Sequence, residues 1–308
     1  MKPADNKQVL LLFSRAAVEK NMADPEELTE LLRGASDGIS YEHAYYEDLI
    51  QIIDNKKPRI FDANTNKSLE EYDLVYHRRW GDAPDIAMSA AIYLRKKGIK
   101  QIDKEILREG SVSKLTQYWR LYESGLPLPA TIFVPRAHLK NWVEKTLGEH
   151  LDFPLVMKST KGTRGEDNYL ADSEAEILKI IEDNPGMEFL LQRFIPNDED
   201  YRVIVCGDDI ALVIKRTAQK GNYKNNTSQG GTATLIEREK LPEDIRKVCI
   251  KAARGFSRDI AGVDIVIDKS NPDDFYFFEV NRAPQIEKSS FSEDKAAAIN
   301  RYFKEFLK

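Results

Sequence analysis

Three oxygen-bearing side chains near the C-terminus have the types and spacing of a magnesium site. Glu279 and Asn281 are two apart in the apolar run Phe275–Asn281, and a strand sends residues two apart out of one face. Asp264 sits in the run Val263–Ile267, which Asp268–Asp274 joins to the first as a hairpin. Two carboxylates and an amide oxygen at one sheet end are hard donors for a magnesium ion that also touches phosphate. Among Val263, Phe277, Phe278 and Val280, isolated carboxylates are costly unless paired or metal-bound. A polar rim facing solvent is the other reading of the same residues.

A second group suits phosphate. Lys158 ends the apolar run Pro154–Lys158 and leads into Ser159–Gly165, where Gly162 and Gly165 let the backbone approach an anion. A cation at the strand end then meets the phosphate charge. The glycine spacing is not that of a Walker loop, and a glycine hairpin with a solvated lysine is the alternative. Lys114, in the first turn of a helix, reads by itself as a solvated lysine. His77-Arg78-Arg79-Trp80 follows the apolar run Asp73–Tyr76, at the strand end where α/β sheets place ligands. Arg78 and Arg79 there could grip a substrate carboxylate in bidentate fashion, or form a basic loop paired with nearby acids.

These side chains need elements to place them. Gln8–Phe13 reads as a buried strand. The helix after it has Asp24 as N-cap, Pro25 at its first position, Glu27 completing a capping box and Gly34 past its end. Pro84–Lys97 reads as a helix stopped by Gly98, with Arg95, Lys96 and Lys97 suiting its C-terminal dipole. Alternating strand and helix signals make residues 1–110 a small parallel α/β unit. The helix Ser113–Glu123, the strands Thr131–Val134 and Pro154–Lys158, and a helix opened by Ser173 with Glu176 form a second unit, 111–186. In the third, 187–308, Glu188–Ile195, Tyr201–Cys206 and Ile210–Arg216 read as strands and Pro242–Arg258 as a helix. The hairpin bearing Asp264 and a closing helix follow. The fold class is α/β followed by α+β, with an antiparallel sheet in the last part.

A length of 308 residues exceeds the ~100–200 usual for one domain, in keeping with several units. Apolar residues at 42% and charged residues at 31% exclude a disordered chain. Lysine plus arginine number 46 against 51 aspartate plus glutamate, and a net charge of -5 argues against binding duplex nucleic acid. Cys206 and Cys249 lie in apolar patterns and read as free thiols, while His43, His77, His138 and His150 lack metal-ligand spacing. Met1–Lys7 has no signal-peptide core, and no apolar run approaches the ~20 residues of a membrane span. The expectation is a cytoplasmic protein with neither nucleic-acid nor membrane partners.

Several segments occur in the order seen in ATP-grasp ligases. They are SKLTQYWRLYESGLPLPATIF with Lys114, FPLVMK followed by STKGTRG, LLQRFIP, DYRVIVCGD, IKRTAQKGNYKNNTSQGG, AGVDIVID and FFEVN. Across roughly residues 100–285 the chain resembles the RimK-like branch of that superfamily. The resemblance implies an ATP-grasp fold with an N-terminal α/β (pre-ATP-grasp) domain, a central subdomain carrying the phosphate loop and a C-terminal subdomain carrying the metal site. It implies that Lys114 and Lys158 contact the nucleotide phosphates, with Gly162 and Gly165 in the loop. Gln192, Arg193, Phe194 and Ile195 would be the hinge strand over adenine, and Asp200 the ribose contact. Arg216, Lys224 and Asn226 would lie close to the transferred phosphate, and Asp264, Glu279 and Asn281 would hold the magnesium. Two positions depart from the family pattern. Gln229 replaces a basic residue before the paired glycines, and Arg282-Ala283-Pro284-Gln285 replaces small residues and a proline–glycine pair. Arg282 reads as a cation for the substrate carboxylate or acyl phosphate, with a surface arginine as the alternative.

The implied activity is that of an ATP-dependent carboxylate–amine ligase. It would form an amide through an acyl phosphate and release ADP and phosphate, using ATP with Mg2+ or Mn2+. An amino acid, a peptide or a protein C-terminal tail is the implied partner, and a dimer or tetramer is the family expectation. The same nucleotide residues would suit a small-molecule kinase or a non-catalytic nucleotide-binding module. The polar, glycine-bearing loop Thr217–Gly231 reads as a lid.

Overall fold

The computed structural model describes residues 6–20, 23–54, 56–81, 83–104, 113–160, 167–218 and 231–308. The chain opens with β1 (Lys7–Phe13), α1 (Arg15–Glu19), α2 (Pro25–Gly34) and β2 (Ile39–Tyr45). A ribbon of β3 (Leu49–Ile52) and β4 (Arg59–Asp62) leads to β5 (Leu74–Arg79), α3 (Pro84–Lys97) and β6 (Lys100–Ile102). These build a parallel sheet in the order β2-β1-β5-β6. The central strand β1 carries a near-continuous buried apolar run, as a strand inside a parallel sheet covered on both faces does. Helix α3 has the bounds read from the sequence, and Gly98 ends it at φ 75°, a left-handed conformation glycine adopts without penalty.

Next come α4 (Lys114–Glu123), β7 (Thr131–Phe133), α5 (Arg136–Thr146), β8 (Leu155–Ser159), β9 (Asn168–Ala171), α6 (Glu174–Asp183) and β10 (Phe189–Arg193). The sheet order is β7-β10-β8-β9, antiparallel throughout. The last part holds β11 (Glu199–Cys206), β12 (Asp209–Thr217), β13 (Thr232–Ile236), α7 (Glu243–Gly255), β14 (Ile260–Asp268), β15 (Asn271–Asn281) and α8 (Ser292–Leu307). It forms a five-stranded antiparallel sheet in the order β13-β12-β11-β14-β15.

Three local readings change. The strand β5 runs three residues further than its apolar stretch, so His77, Arg78 and Arg79 are strand rather than loop: backbone pairing of Leu12 with His77 and Phe13 with Arg79 carries it on. The strand 189–193 pairs with β7 and β8 of the central sheet and not with the antiparallel sheet that follows it in sequence. At α2 the Asp24 carboxylate caps the Glu27 amide, but the Glu27 carboxylate accepts from the Lys288 amide at 2.9 Å, so a distant segment takes the place of the second half of the box.

Core packing joins the first and last sheets. Val9, Leu11 and Phe13 of β1 and Leu28 and Leu32 of α2 share one apolar cluster with Ile204, Ile260, Ile299 and Phe303. Helix α8 thus wedges between the N-terminal sheet and β11–β14, and each such fully buried side chain contributes about 1.5–3 kcal/mol. On the opposite face of the last sheet, Leu121 of α4 and Ile245, Cys249 and Ala252 of α7 pack on Val203, Val263 and Phe277.

Candidate active site

The acidic side of the site follows from strand register. Asp264 on β14 lies directly opposite Arg202 of β11 on one side and Glu279 of β15 on the other, and Asp200 lies opposite Arg216. Arg202 binds the Asp264 carboxylate in fork geometry, with Nε and Nη2 at 2.8 and 2.7 Å. Arg216 Nη2 stands 3.4 Å from it, and Asn281 Nδ2 donates to it at 3.1 Å. Burial pushes the Asp264 carboxyl upward, but Arg202 and Arg216 overcome it and hold the group below the usual carboxylate range. Glu279 is the contrasting case: burial raises it, and the Asp264 charge raises it further. Asp200 is also raised by burial, although Arg216 Nε donates to it at 2.5 Å.

The basic side comes from the central sheet and α4. Lys158 on β8 is buried, with Nζ 3.2 Å from the Tyr118 hydroxyl and 4.6 Å from the centroid of the Phe278 ring. Lys114 opens α4 behind the N-cap Ser113; its amide donates to Thr160 O and its Nζ to Ser159 O, both at 3.1 Å. Burial lowers the Lys114 ammonium, while Glu279 partly restores it and Lys158 opposes it. The same helix fixes the strand that carries Glu279. Gln117 exchanges two 3.1 Å hydrogen bonds with the Val280 backbone, and the Tyr118 hydroxyl donates to Phe278 O. The lysines and the candidate metal carboxylate are therefore parts of one packed unit.

The residues expected to form the hinge lie on and just past β10. Gln192 is buried and donates from Nε2 to Thr131 Oγ1 at 2.8 Å, while Arg193 reaches the Tyr276 hydroxyl and lies 3.6 Å from Asp268. The Arg193 amide bonds Ala130 O and the Phe194 amide bonds Pro154 O. Ile195 is buried just beyond the strand end. Asp200, expected at the ribose, is held in a buried pair with Arg216.

The reading of Arg78 and Arg79 as a substrate grip does not hold. Arg78 has no exposed side-chain surface; its Nη2 donates to Pro284 O at 2.6 Å and lies 3.4 Å from the Glu287 carboxylate. Arg79 Nη2 donates to Ala283 O at 3.0 Å. The basic pair grips the chain's own segment after Asn281, because β5 continues under it. Arg282 places its guanidinium 5.3 Å from the Trp80 ring centroid. Gly162, Gly165, Lys224 and Asn226, with Gln229, lie outside the described residues. Sequence reasoning missed Arg202 as a site residue. The signal was present, since Arg202 is two residues from Asp200 and so shares its face of β11.

No group of three or more His, Cys, Asp or Glu side chains among the described residues could hold a metal ion. A divalent cation at this corner would rely on two carboxylates, one amide oxygen and oxygens of a bound nucleotide. The donor set fits that role: all donors are hard oxygens, and the raised Glu279 carboxyl beside Asp264 is an arrangement a dication relieves.

A buried lysine on the central sheet, a second lysine at the start of α4 and an acid–arginine lattice on the last sheet make up the candidate site. Residues 119–302 match the RimK-like ATP-grasp domain. A probable alpha-L-glutamate ligase from Cellvibrio japonicus (strain Ueda107) is 30% identical over 248 residues, covering 79% of this chain and 79% of that protein. Among solved structures, D-alanyl-alanine synthetase A from Vibrio cholerae O1 biovar eltor str. N16961 superposes with a TM-score of 0.68 at 14% identity, covering 99% of this chain and 98% of that one. A Chryseobacterium gregarium RiPP-associated ATP-grasp ligase, in complex with ADP and a leader and core peptide, gives 0.66 at 16% identity over 97% of both chains. The chain belongs to the RimK-like ATP-grasp family. It is an ATP-dependent carboxylate–amine ligase, of a family that binds ATP and magnesium.

Proposed function

We propose that this ligase activates a substrate carboxylate as an acyl phosphate and couples it to the amine of an amino acid, with L-glutamate the first to try given its relative's name. A carboxylate oxygen attacks the terminal phosphorus of ATP in line, the bond to the bridging oxygen breaks and ADP leaves. The amine nitrogen then attacks the acyl carbon, inorganic phosphate departs with the bonding electrons, and the surplus amine proton passes to solvent. Lys114 and Lys158 hold the phosphates, Arg202 and Arg216 face the charge that develops on the transferred group, and Arg282 takes the acyl phosphate. Asp264, Glu279 and Asn281 would hold the magnesium, which would supply charge neutralisation for the phosphates; manganese would suit the same oxygens. No side-chain nucleophile is required, because positioning and electrostatics carry the reaction.

A peptide or protein tail is the acceptor we favour, and the two buried free cysteines suit a reducing cytoplasm. No helix among the described residues is long and apolar enough to cross a membrane. Three units, the second built on the β7-β10-β8-β9 sheet, and a homodimer or tetramer complete the proposal; sedimentation velocity reads the last.

The observation that carries the proposal is the register that sets Glu279 opposite Asp264, on a strand that α4 ties through Gln117 and Tyr118 to the side bearing Lys114 and Lys158. Substituting Glu279→Gln should cut ADP release in the presence of glutamate and an acidic peptide by on the order of 10²-fold or more. Undiminished release would remove the metal corner.

A further inference from the structure

Four consecutive carbonyls after Asn281 are each capped by a different cationic side chain. Arg258 donates to Arg282 O, Arg79 to Ala283 O, Arg78 to Pro284 O and Lys295 to Gln285 O. Lys295 also donates to Ser289 Oγ at 2.8 Å. The donors come from β5, from the residues before β14 and from α8, so three parts of the chain converge on one short segment. That segment belongs to no strand or helix, and hydrogen bonds from ionised donors are roughly twice as strong as neutral ones.

A second, uncharged device holds the same segment. Gly262 on β14 pairs with Asn281, and a Cβ at Gly262 would sit 2.9 Å from Pro284 Cβ. The missing side chain lets Pro284 lie against the strand beside the candidate metal ligand. Arg78 is buried with Nε and Nη1 lacking hydrogen-bond partners among the described residues, so the contact to Pro284 O is kept at a cost a purely stabilising arginine would not need to bear.

We propose that Arg78, Arg79 and Lys295 are positioning residues for the ligase reaction: with Gly262 they set where the Asn281 amide and the Arg282 guanidinium stand. The inference rests on the roles given above to Asn281 and Arg282. It makes the N-terminal sheet a working part of the active site through the end of β5, and not only a neighbour of it.

The test uses Lys295→Met, with Gly262→Ala as the variant that removes no charge, and Lys295→Arg as the conservative rescue. Trp80 is one of three tryptophans, so Trp119→Phe/Trp142→Phe leaves its emission as the reporter of Arg282 above its ring. In that background Lys295→Met and Gly262→Ala should shift Trp80 emission. In the otherwise unaltered enzyme they should lower kcat on the order of 10²-fold, with the Kd for ATP within about twofold and kcat largely restored in Lys295→Arg. Folded variants with unchanged Trp80 emission overturn the positioning role. A parent enzyme that releases no ADP with any amine defeats the ligase reading instead, and the Trp80 measurement still decides the positioning.

Discussion

Two of the places where arginine meets carboxylate inside this fold lie about the C-terminal sheet and beneath the segment that leaves it. Around Asp264 the arginine fork is well formed and partly open, with side-chain exposures of 26% for Arg202 and 8% for Asp264. Between Arg78 and Glu287 the pair is sealed, at 0% and 1%, and its geometry is looser at 3.4 Å. The same two side-chain types therefore do different things. An open pair can exchange partners when phosphate or metal arrives, whereas a sealed pair can only hold the chain. Exposure and what lies next along the chain separate the roles, not residue chemistry.

The contrast can be broken or sharpened by substitution. The largest effect belongs to the sealed pair: Glu287→Gln leaves the Arg78 guanidinium buried beside a neutral partner and should lower unfolding free energy by about 3–5 kcal/mol, read by urea denaturation. The open pair should show the opposite pattern. Arg202→Met should lower kcat on the order of 10²–10³-fold while the thermal midpoint moves little. If Arg202→Met instead unfolds the protein with turnover per folded molecule intact, the two regions do not differ as argued.

A titration probes the sealed region from its other face. His77, next to Arg78 on β5, is buried between the Tyr46 hydroxyl and Gln101, and burial drives its imidazole down to about 4. The unfolded chain binds the proton first, so stability from this group is whole above pH 6.5 and is lost as pH falls from there toward 4, by about 3 kcal/mol in all. Thermal midpoints followed across that window should fall in the parent and fall less in His77→Gln. The smallest effect is expected at the Asp24 cap, which also pairs with Lys288 Nζ at 2.6 Å: Asp24→Ala should cost about 1 kcal/mol in the same denaturation experiment and leave turnover nearly unchanged.

Much of the site was legible in the amino-acid order because it depends on local period. Asp264, Glu279 and Asn281 follow from strand alternation and one hairpin, and they meet in register as read. Lys158 near the end of its strand also stands on a local signal, whereas Lys114 reads locally as a solvated lysine and enters the site only through the resemblance. Arg202 escaped although Asp200 marked its face, because a basic residue inside an apolar strand carries no local sign of its partner. The roles of Arg78 and Arg79 were not legible at all. Glu287 lies 209 residues from Arg78, and nothing near either residue points to the other. The strand 189–193 shows the same limit, since its apolar residues suit either sheet and only packing selects the central one.

The order of residues alone determined most element types, the pairing of the two strands that carry the carboxylates, and a set of donors suited to magnesium and phosphate, since these rest on spacing and side-chain type within a few dozen residues; the ligase reaction was implied by the resemblance along the chain. Tertiary structure decided which cations those carboxylates meet, which arginines are sealed from solvent, and that the N-terminal sheet reaches the segment behind Asn281. Those outcomes depend on burial and on contacts between distant parts of the chain, where desolvation turns a common ion pair into either a reactive corner or a fixed strut.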